Sequence, residues 1–317
     1  MGKRVFVFPG QGSQYIGMGK EFYDTMPVAK EVFDLASKVT GLDIPKLCFE
    51  ENDQLNITEY TQICMLTTEA AIYAALKDAG IEADVTAGLS LGEYGALIAS
   101  GAMSMEDAFA VVRKRGIYMQ EAVPEGGAMS AVLGLDPDTI AKICEDATNE
   151  AGGATAESGL PMVVSVANYN CPGQIVITGE AGMVEKAAEL CKEAGAKRVV
   201  PLKVSGPFHS KLLEGAGAKL GEALEDVSLN EIKVPYLTNV TADYVKDTKD
   251  IKPYLVKQVS SSVRWEQTVR KLIEDGADEF VEIGPGRTLT GFMRKIDRNV
   301  TAVNIDKMED FTKYVNR

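Results

Sequence analysis

A single histidine in 317 residues is the most restrictive feature of this chain. No multi-histidine metal site can form around it, which removes most zinc and iron chemistry. If a histidine performs general base work near neutral pH, it is His209. The five cysteines, Cys48, Cys64, Cys144, Cys171 and Cys191, are odd in number and contain no C-x-x-C pair. A zinc knuckle, a dithiol redox motif and a disulfide framework are therefore all excluded, as expected of a reducing compartment. Long apolar runs are absent too. Val5 to Phe8 is too short for a signal h-region, and nothing later approaches the roughly eighteen residues of a membrane span. The expectation is a soluble cytoplasmic protein with no membrane partner. Positive charge is also scarce: 33 Lys and Arg stand against 46 Asp and Glu, a formal charge of −13. No global field draws the chain to nucleic acid, and an anionic substrate must be met by a local positive pocket.

With 45% apolar and 25% charged residues, the composition is that of a globular protein long enough for one large domain or two. Strand and helix signals alternate. Lys3 to Phe8 reads as a buried strand ended by Pro9-Gly10, and Leu66, Ala70, Tyr73 and Leu76 keep helical spacing up to a stop at Gly80. Asp84 to Leu89 is β-leaning, the chain turns helical from Leu91, and Ser104 with Asp107 signs the start of a helix to about Val123. This pattern predicts an α/β fold with a mostly parallel sheet. From 125 to 202 the order changes to β-α-β-β-α-β, that of a ferredoxin-like module. Its predicted pieces are a strand Ala128 to Leu133, a helix Asp136 to Ala151 and strands Met162 to Asn168 and Gln174 to Thr178. The turn Asn170 to Gly173 joins those two strands, and a helix Gly182 to Ala194 and a strand Arg198 to Val204 follow. The expected organisation is a large α/β subdomain from residues 1–124 and 203–317, carrying a ferredoxin-like subdomain at 125–202. Tyr236 to Asn239 and Glu279 to Ile283 are further strand candidates.

Gly88-Leu89-Ser90-Leu91-Gly92 is a G-x-S-x-G sequence between a strand and a helix. Small flanking residues let a serine sit on a tight turn, with free N–H groups of the next helix facing a developing oxyanion. A helix-capping serine in a glycine-rich turn would leave the same pattern. His209 lies in Val204-Ser205-Gly206-Pro207-Phe208-His209-Ser210, at a strand end, where sites are built on α/β sheets. If Ser90 is a nucleophile activated by histidine, His209 is that base by elimination. Pro9-Gly10-Gln11-Gly12-Ser13-Gln14 fails as a dinucleotide fingerprint, because Tyr15 stands at the third glycine position. It fails as a P-loop because Met18 stands where lysine is required. What remains is a turn able to offer a backbone N–H. Arg115 shares a helix face with Ala108, Val111, Val112 and Met119, so its guanidinium is directed inward, toward an internal acid or a substrate anion.

These motifs, with Arg115-Gly116, Met119 to Pro124, Asn168 to Gln174 and Glu282-Ile283-Gly284-Pro285-Gly286, occur in one order over nearly the whole chain. The chain resembles the malonyl-CoA:acyl carrier protein transacylases of fatty acid synthesis and the related acyltransferase domains of polyketide synthases. The resemblance implies an active site between a hydrolase-like and a ferredoxin-like subdomain, with malonyl-CoA as substrate, acyl carrier protein as partner and no bound cofactor. It assigns Ser90 as nucleophile, His209 as base, the backbone N–H groups of Gln11 and Leu91 as the oxyanion hole, and Arg115 as the grip on the malonyl carboxylate. Met119, Asn168 and Phe208 join Arg115 as candidate substrate contacts, and a main-chain carbonyl at Gln258 would orient the histidine in place of a triad aspartate.

One departure concerns Leu89, where the family commonly has histidine; it changes the pocket wall rather than the base. Phe208 resembles the malonyl-preferring pattern, a discrimination of about 1–3 kcal/mol against a branching methyl. Acyl carrier proteins are generally acidic, and so is this chain. A local basic patch at the cleft mouth is therefore expected, with Lys186, Lys192, Lys197, Arg198 and Lys203 as candidates. A serine esterase or thioesterase shares the G-x-S-x-G, but the HGGG-type oxyanion segment often seen in that class is missing and the inserted module is foreign to it. An acyltransferase serving a polyketide pathway would carry the same motifs. A non-catalytic carrier-binding module has little support while Ser90, His209 and Arg115 all stand in place.

Overall fold

The computed structural model describes residues 2–204 and 206–317; Ser205, in the histidine motif, lies outside them. Among the described residues eight strands form two sheets: β1 (Lys3–Phe8), β2 (Val85–Gly88), β3 (Gly127–Leu133), β4 (Val164–Cys171), β5 (Gln174–Glu180), β6 (Arg198–Pro201), β7 (Ala277–Ile283) and β8 (Thr301–Ile305). The first sheet runs β2-β1-β7-β8 and is parallel throughout. Its inner strand β1 is buried on both faces, which is why it reads as an unbroken apolar run. Phe6 and Phe8 enter the larger core with Tyr94, Leu97 and Phe109, whereas Val5 and Val7 pack on the other side with Trp265 and Phe280. Each such burial contributes about 1.5–3 kcal/mol.

The second sheet is antiparallel in the order β4-β5-β3-β6. Its helices, Pro137–Glu150 and Ala181–Glu193, share a separate small core with Val132, Ile175 and Ile177. This is the β-α-β-β-α-β order and strand arrangement of a ferredoxin-like fold. The α/β class with a parallel sheet and a second, small antiparallel sheet is thus as expected. Several boundaries differ. β4 runs on through Asn170 and Cys171, leaving only Pro172-Gly173 as the turn. β6 stops at Pro201 rather than Val204; the Leu202 N–H still donates to the Met129 carbonyl at 2.9 Å, and residues 202–204 line a cleft. Tyr236 to Asn239 is not a strand. It makes single bridges, Thr86 with Tyr236 and Leu237 with Tyr244, and then turns, with the Ala242 N–H donating to the Thr238 carbonyl at 3.0 Å. That turn carries the Asn239 side chain to the end of β2.

Two helices approach the end of β2. Gly92–Ala99 follows it directly. Met105–Ala122 begins at Ser104, whose side chain accepts from the Asp107 N–H at 3.0 Å, as the capping signature predicts. Glu282, from the Glu-Ile-Gly-Pro-Gly motif, accepts from the N–H groups of Leu289 and Thr290 at 2.9 and 2.8 Å, capping the helix Thr288–Ile296.

The β2 turn explains its glycines sterically. A Cβ on Gly88 would fall on the Gly92 carbonyl, and one on Gly92 would fall on the carbonyls of Phe8 and Pro9. Backbone cannot give way as a flexible side chain can. Gly92→Ala is therefore expected to destabilise the protein by about 1–3 kcal/mol or more, through overpacking of main chain. Urea unfolding measures this, and an unchanged midpoint would remove the steric argument.

Candidate active site

Ser90 has φ 54° and His209 φ 61°; with Ala242 they are the three non-glycine residues at positive φ among those described. Such backbone costs about 1–3 kcal/mol and persists where surroundings enforce it. The two strained residues meet. Ser90 Oγ lies 2.8 Å from His209 Nε2, and His209 Nδ1 lies 2.9 Å from the Gln258 carbonyl. A carbonyl can only accept, so Nδ1 carries the proton and Nε2 is left to accept from the serine hydroxyl. His209 is 5% exposed, and burial followed by the charge of Arg115 lowers its pKa to about 4. The imidazole is neutral at physiological pH.

Arg115 is 1% exposed, and among the described residues no carboxylate touches it. Nη1 donates to Gln62 Oε1 at 2.6 Å, and Nη2 donates to Ser90 Oγ and Gln258 Oε1, both at 3.1 Å. Nε has no partner among the described residues. Its guanidinium carbon lies 5.7 Å from the centre of the Tyr94 ring. The helical spacing directs Arg115 inward without saying what it meets. The structure supplies two amide oxygens and the serine, not an internal acid. Burial lowers its pKa, partly countered by Tyr94 and Glu93.

Gln11, Ser90, Leu91, Met119, Asn168, Phe208 and His209 all line one cleft of about 760 Å³. Its floor is the end of β1 and β2, and Met129, Asn168 and Val176 of the antiparallel sheet form one wall. The backbone N–H groups of Gln11 and Leu91 donate to no acceptor among the described residues. The Gln11 side chain is held aside, its Nε2 donating to Thr58 Oγ1 at 3.1 Å. Leu89 lines the same cleft with Phe292, an apolar stretch of its wall. Gln258 is fully buried behind His209.

Residues not singled out from sequence complete the arrangement. Glu93 is fully buried; Oε2 accepts from Gln258 Nε2 at 2.6 Å and from the Asn239 N–H at 3.0 Å. Burial raises its pKa, against those two bonds. Gln258 thus has a second use: its side chain joins Arg115 to Glu93. No spacing rule brings positions 62, 93, 239 and 258 together, since three of them come from separate helices around the dyad. Of the expected basic patch, Lys203 lines the cleft. Lys186 pairs instead with Glu150 at 2.8 Å. Lys197 and Arg198 lie at the Leu133 end of β6, away from the Met129 and Leu202 end that meets the cleft, and Lys192 is outside the lining too.

The acyl transferase domain family matches residues 5–307. The malonyl CoA-acyl carrier protein transacylase of Bacillus subtilis is 46% identical over 311 residues, 98% of this chain and 95% of that protein. The solved structure of MCAT from Streptococcus pneumoniae superposes with a TM-score of 0.93 at 45% identity, over 99% of both chains. A malonyl-transacylase solved in complex with its type II PKS acyl-carrier protein gives 0.92 at 37% identity, over 99% of both. The chain belongs to the acyltransferase family of the malonyl CoA-acyl carrier protein transacylases.

Proposed function

We propose that this enzyme moves the malonyl group from malonyl-CoA to the phosphopantetheine thiol of acyl carrier protein, in fatty acid biosynthesis, through a Ser90 ester. The observation that carries the reading is a buried guanidinium with no carboxylate in contact among the described residues, 3.1 Å from the hydroxyl beside the only histidine. A malonyl carboxylate would supply the missing charge. In this reading residues 1–124 and 203–317 form the catalytic subdomain and 125–202 the ferredoxin-like one. Malonyl-CoA and its carrier acceptor meet in the cleft between them, and the reaction takes place in the cytoplasm.

Ser90 Oγ attacks the thioester carbonyl as its proton passes to His209 Nε2, while Nδ1–H stays on the Gln258 carbonyl. The oxyanion is received by the N–H groups of Gln11 and Leu91, each such donor typically worth ~10²–10³ in rate. Collapse expels the CoA thiol with the proton from His209. Carrier thiol then gives its proton to His209 and attacks the serine ester; the C–Oγ bond breaks as His209 returns that proton to Ser90 Oγ, leaving the malonyl thioester on the carrier and the free enzyme. Every proton and acyl movement is handled by serine, histidine and backbone, so the cycle calls for no cofactor. Met119, Asn168 and Phe208 shape the acyl pocket, with Phe208 against a branching methyl.

Intact mass after mixing with malonyl-CoA tests this. One added malonyl group on the wild type, absent from Ser90→Ala, is expected. Release of CoA without an adduct would point to hydrolysis, and malonyl-CoA left untouched would overturn the assignment.

The acylation rate has a distinctive pH dependence. Because the reactive form of His209 is the neutral one and its pKa is lowered to about 4, the rate should fall only as pH drops toward that value. It should be flat from about pH 6 upward, where a histidine of ordinary pKa, about 6.5, would still be titrating. A half-maximal rate near pH 6.5 in rapid-quench acylation would contradict the buried, neutral base.

A further inference from the structure

Asn239 is 1% exposed and does not line the cleft. Its side-chain amide nevertheless spans the strained turn. Oδ1 accepts from the Ser90 N–H at 2.6 Å, and Nδ2 donates to the Gly88 carbonyl at 2.6 Å. A carbonyl and an N–H two residues apart are what the backbone of a neighbouring strand would pair with in a sheet. Here one side-chain amide stands in for that strand at the point where the chain leaves β2. Asn239 is itself pinned: its N–H donates to Glu93 Oε2 at 3.0 Å, and its carbonyl accepts from the Arg264 N–H at 3.1 Å. Glu93 Oε2 also receives Gln258 Nε2, and Gln258 holds both His209 and Arg115.

We propose that Asn239 is a positioning residue for acyl transfer, its amide holding Ser90 in the left-handed conformation that aims Oγ at His209 Nε2. This rests on Ser90 being the nucleophile. Without the clamp, the Ser90 N–H loses its acceptor and the turn loses what offsets its strain. Since both polar atoms of the Asn239 side chain are spent on the Ser90 turn, it acts on the rate of acylation and not on the binding of malonyl-CoA.

Two substitutions separate positioning from mere packing. Asn239→Leu keeps the volume and removes both bonds; it should lower kcat ~10²-fold, the scale of a small misplacement of reacting atoms, with KM within about twofold. Asn239→Asp keeps the acceptor, and when protonated its O–H can donate to the Gly88 carbonyl as the amide does. The groups acting on that carboxyl are Glu93 on the following helix, His209 through Ser90, Arg115 through Gln258, and Tyr236 on its own segment. Burial of the carboxyl, with the Glu93 carboxyl on the main-chain N–H of the same residue, favours the protonated form, so activity should climb toward wild type as pH is lowered from about 8 to about 6. Asn239→Leu should not follow. The wild type, with His209 neutral over this range, provides the flat reference. If Asn239→Leu does not fold, the pH profile of Asn239→Asp against wild type carries the test. A folded Asn239→Leu with wild-type kcat, or an Asn239→Asp whose ratio to wild type does not change with pH, would overturn the proposal. A wild type that takes no malonyl on Ser90 would undo the functional reading instead.

Discussion

The site is organised by the burial of the Arg115 guanidinium among neutral partners. An unpaired charge taken from water costs several kcal/mol, and amide oxygens with the face of Tyr94 offset only part of that. The carboxyl group of the network, Glu93, acts at one remove through the Gln258 amide. A direct ion pair would have neutralised the cation and occupied its donor edge. The amide spacer leaves the charge in place and part of that edge turned toward Ser90. Burial first, and then this same charge, keep His209 unprotonated, so the cation that in the proposed reading meets the substrate carboxylate also sets the state of the imidazole.

The second constraint is geometric. Ser90 and His209 both sit at positive φ, in a fold where strain of that kind is otherwise confined to Ala242 among non-glycine residues described. Gly88 and Gly92 allow the turn by carrying no Cβ: one on Gly88 would meet the Gly92 backbone, and one on Gly92 the backbone of Phe8 and Pro9. Sterics alone would permit the elbow without fixing it. The side chains of Asn239 and Gln258 fix it, with Gln258 Nε2 donating to the Ser90 carbonyl at 3.0 Å.

Local chemistry makes much of this legible in the sequence. The parallel sheet, the Ser104 cap and the G-x-S-x-G turn each follow from residues close together in the chain. A sole histidine makes the pairing with Ser90 readable by elimination. Arg115 can be directed inward by its helical face, but its partners lie 53 and 143 positions away and leave no local trace. Glu93 and Asn239 are silent for the same reason: a buried carboxylate and a buried amide look like any others until the fold joins them. Of the basic-patch candidates only Lys203 lines the cleft, because charge along the segment around β6 says nothing of which end meets it. The segment at Tyr236 misleads because its apolar pattern is that of a strand, while it makes only isolated bridges at Tyr236 and Leu237 before the chain turns.

Selectivity is where the central claim is most exposed. Single-turnover acylation of Ser90 from malonyl-CoA and from acetyl-CoA should be compared in the wild type and in Arg115→Ala. If the cation is held for a substrate carboxylate, the malonyl rate should fall at least ~10²-fold relative to the acetyl rate, collapsing the preference between them. A folded Arg115→Ala that retained the wild-type preference would contradict the account.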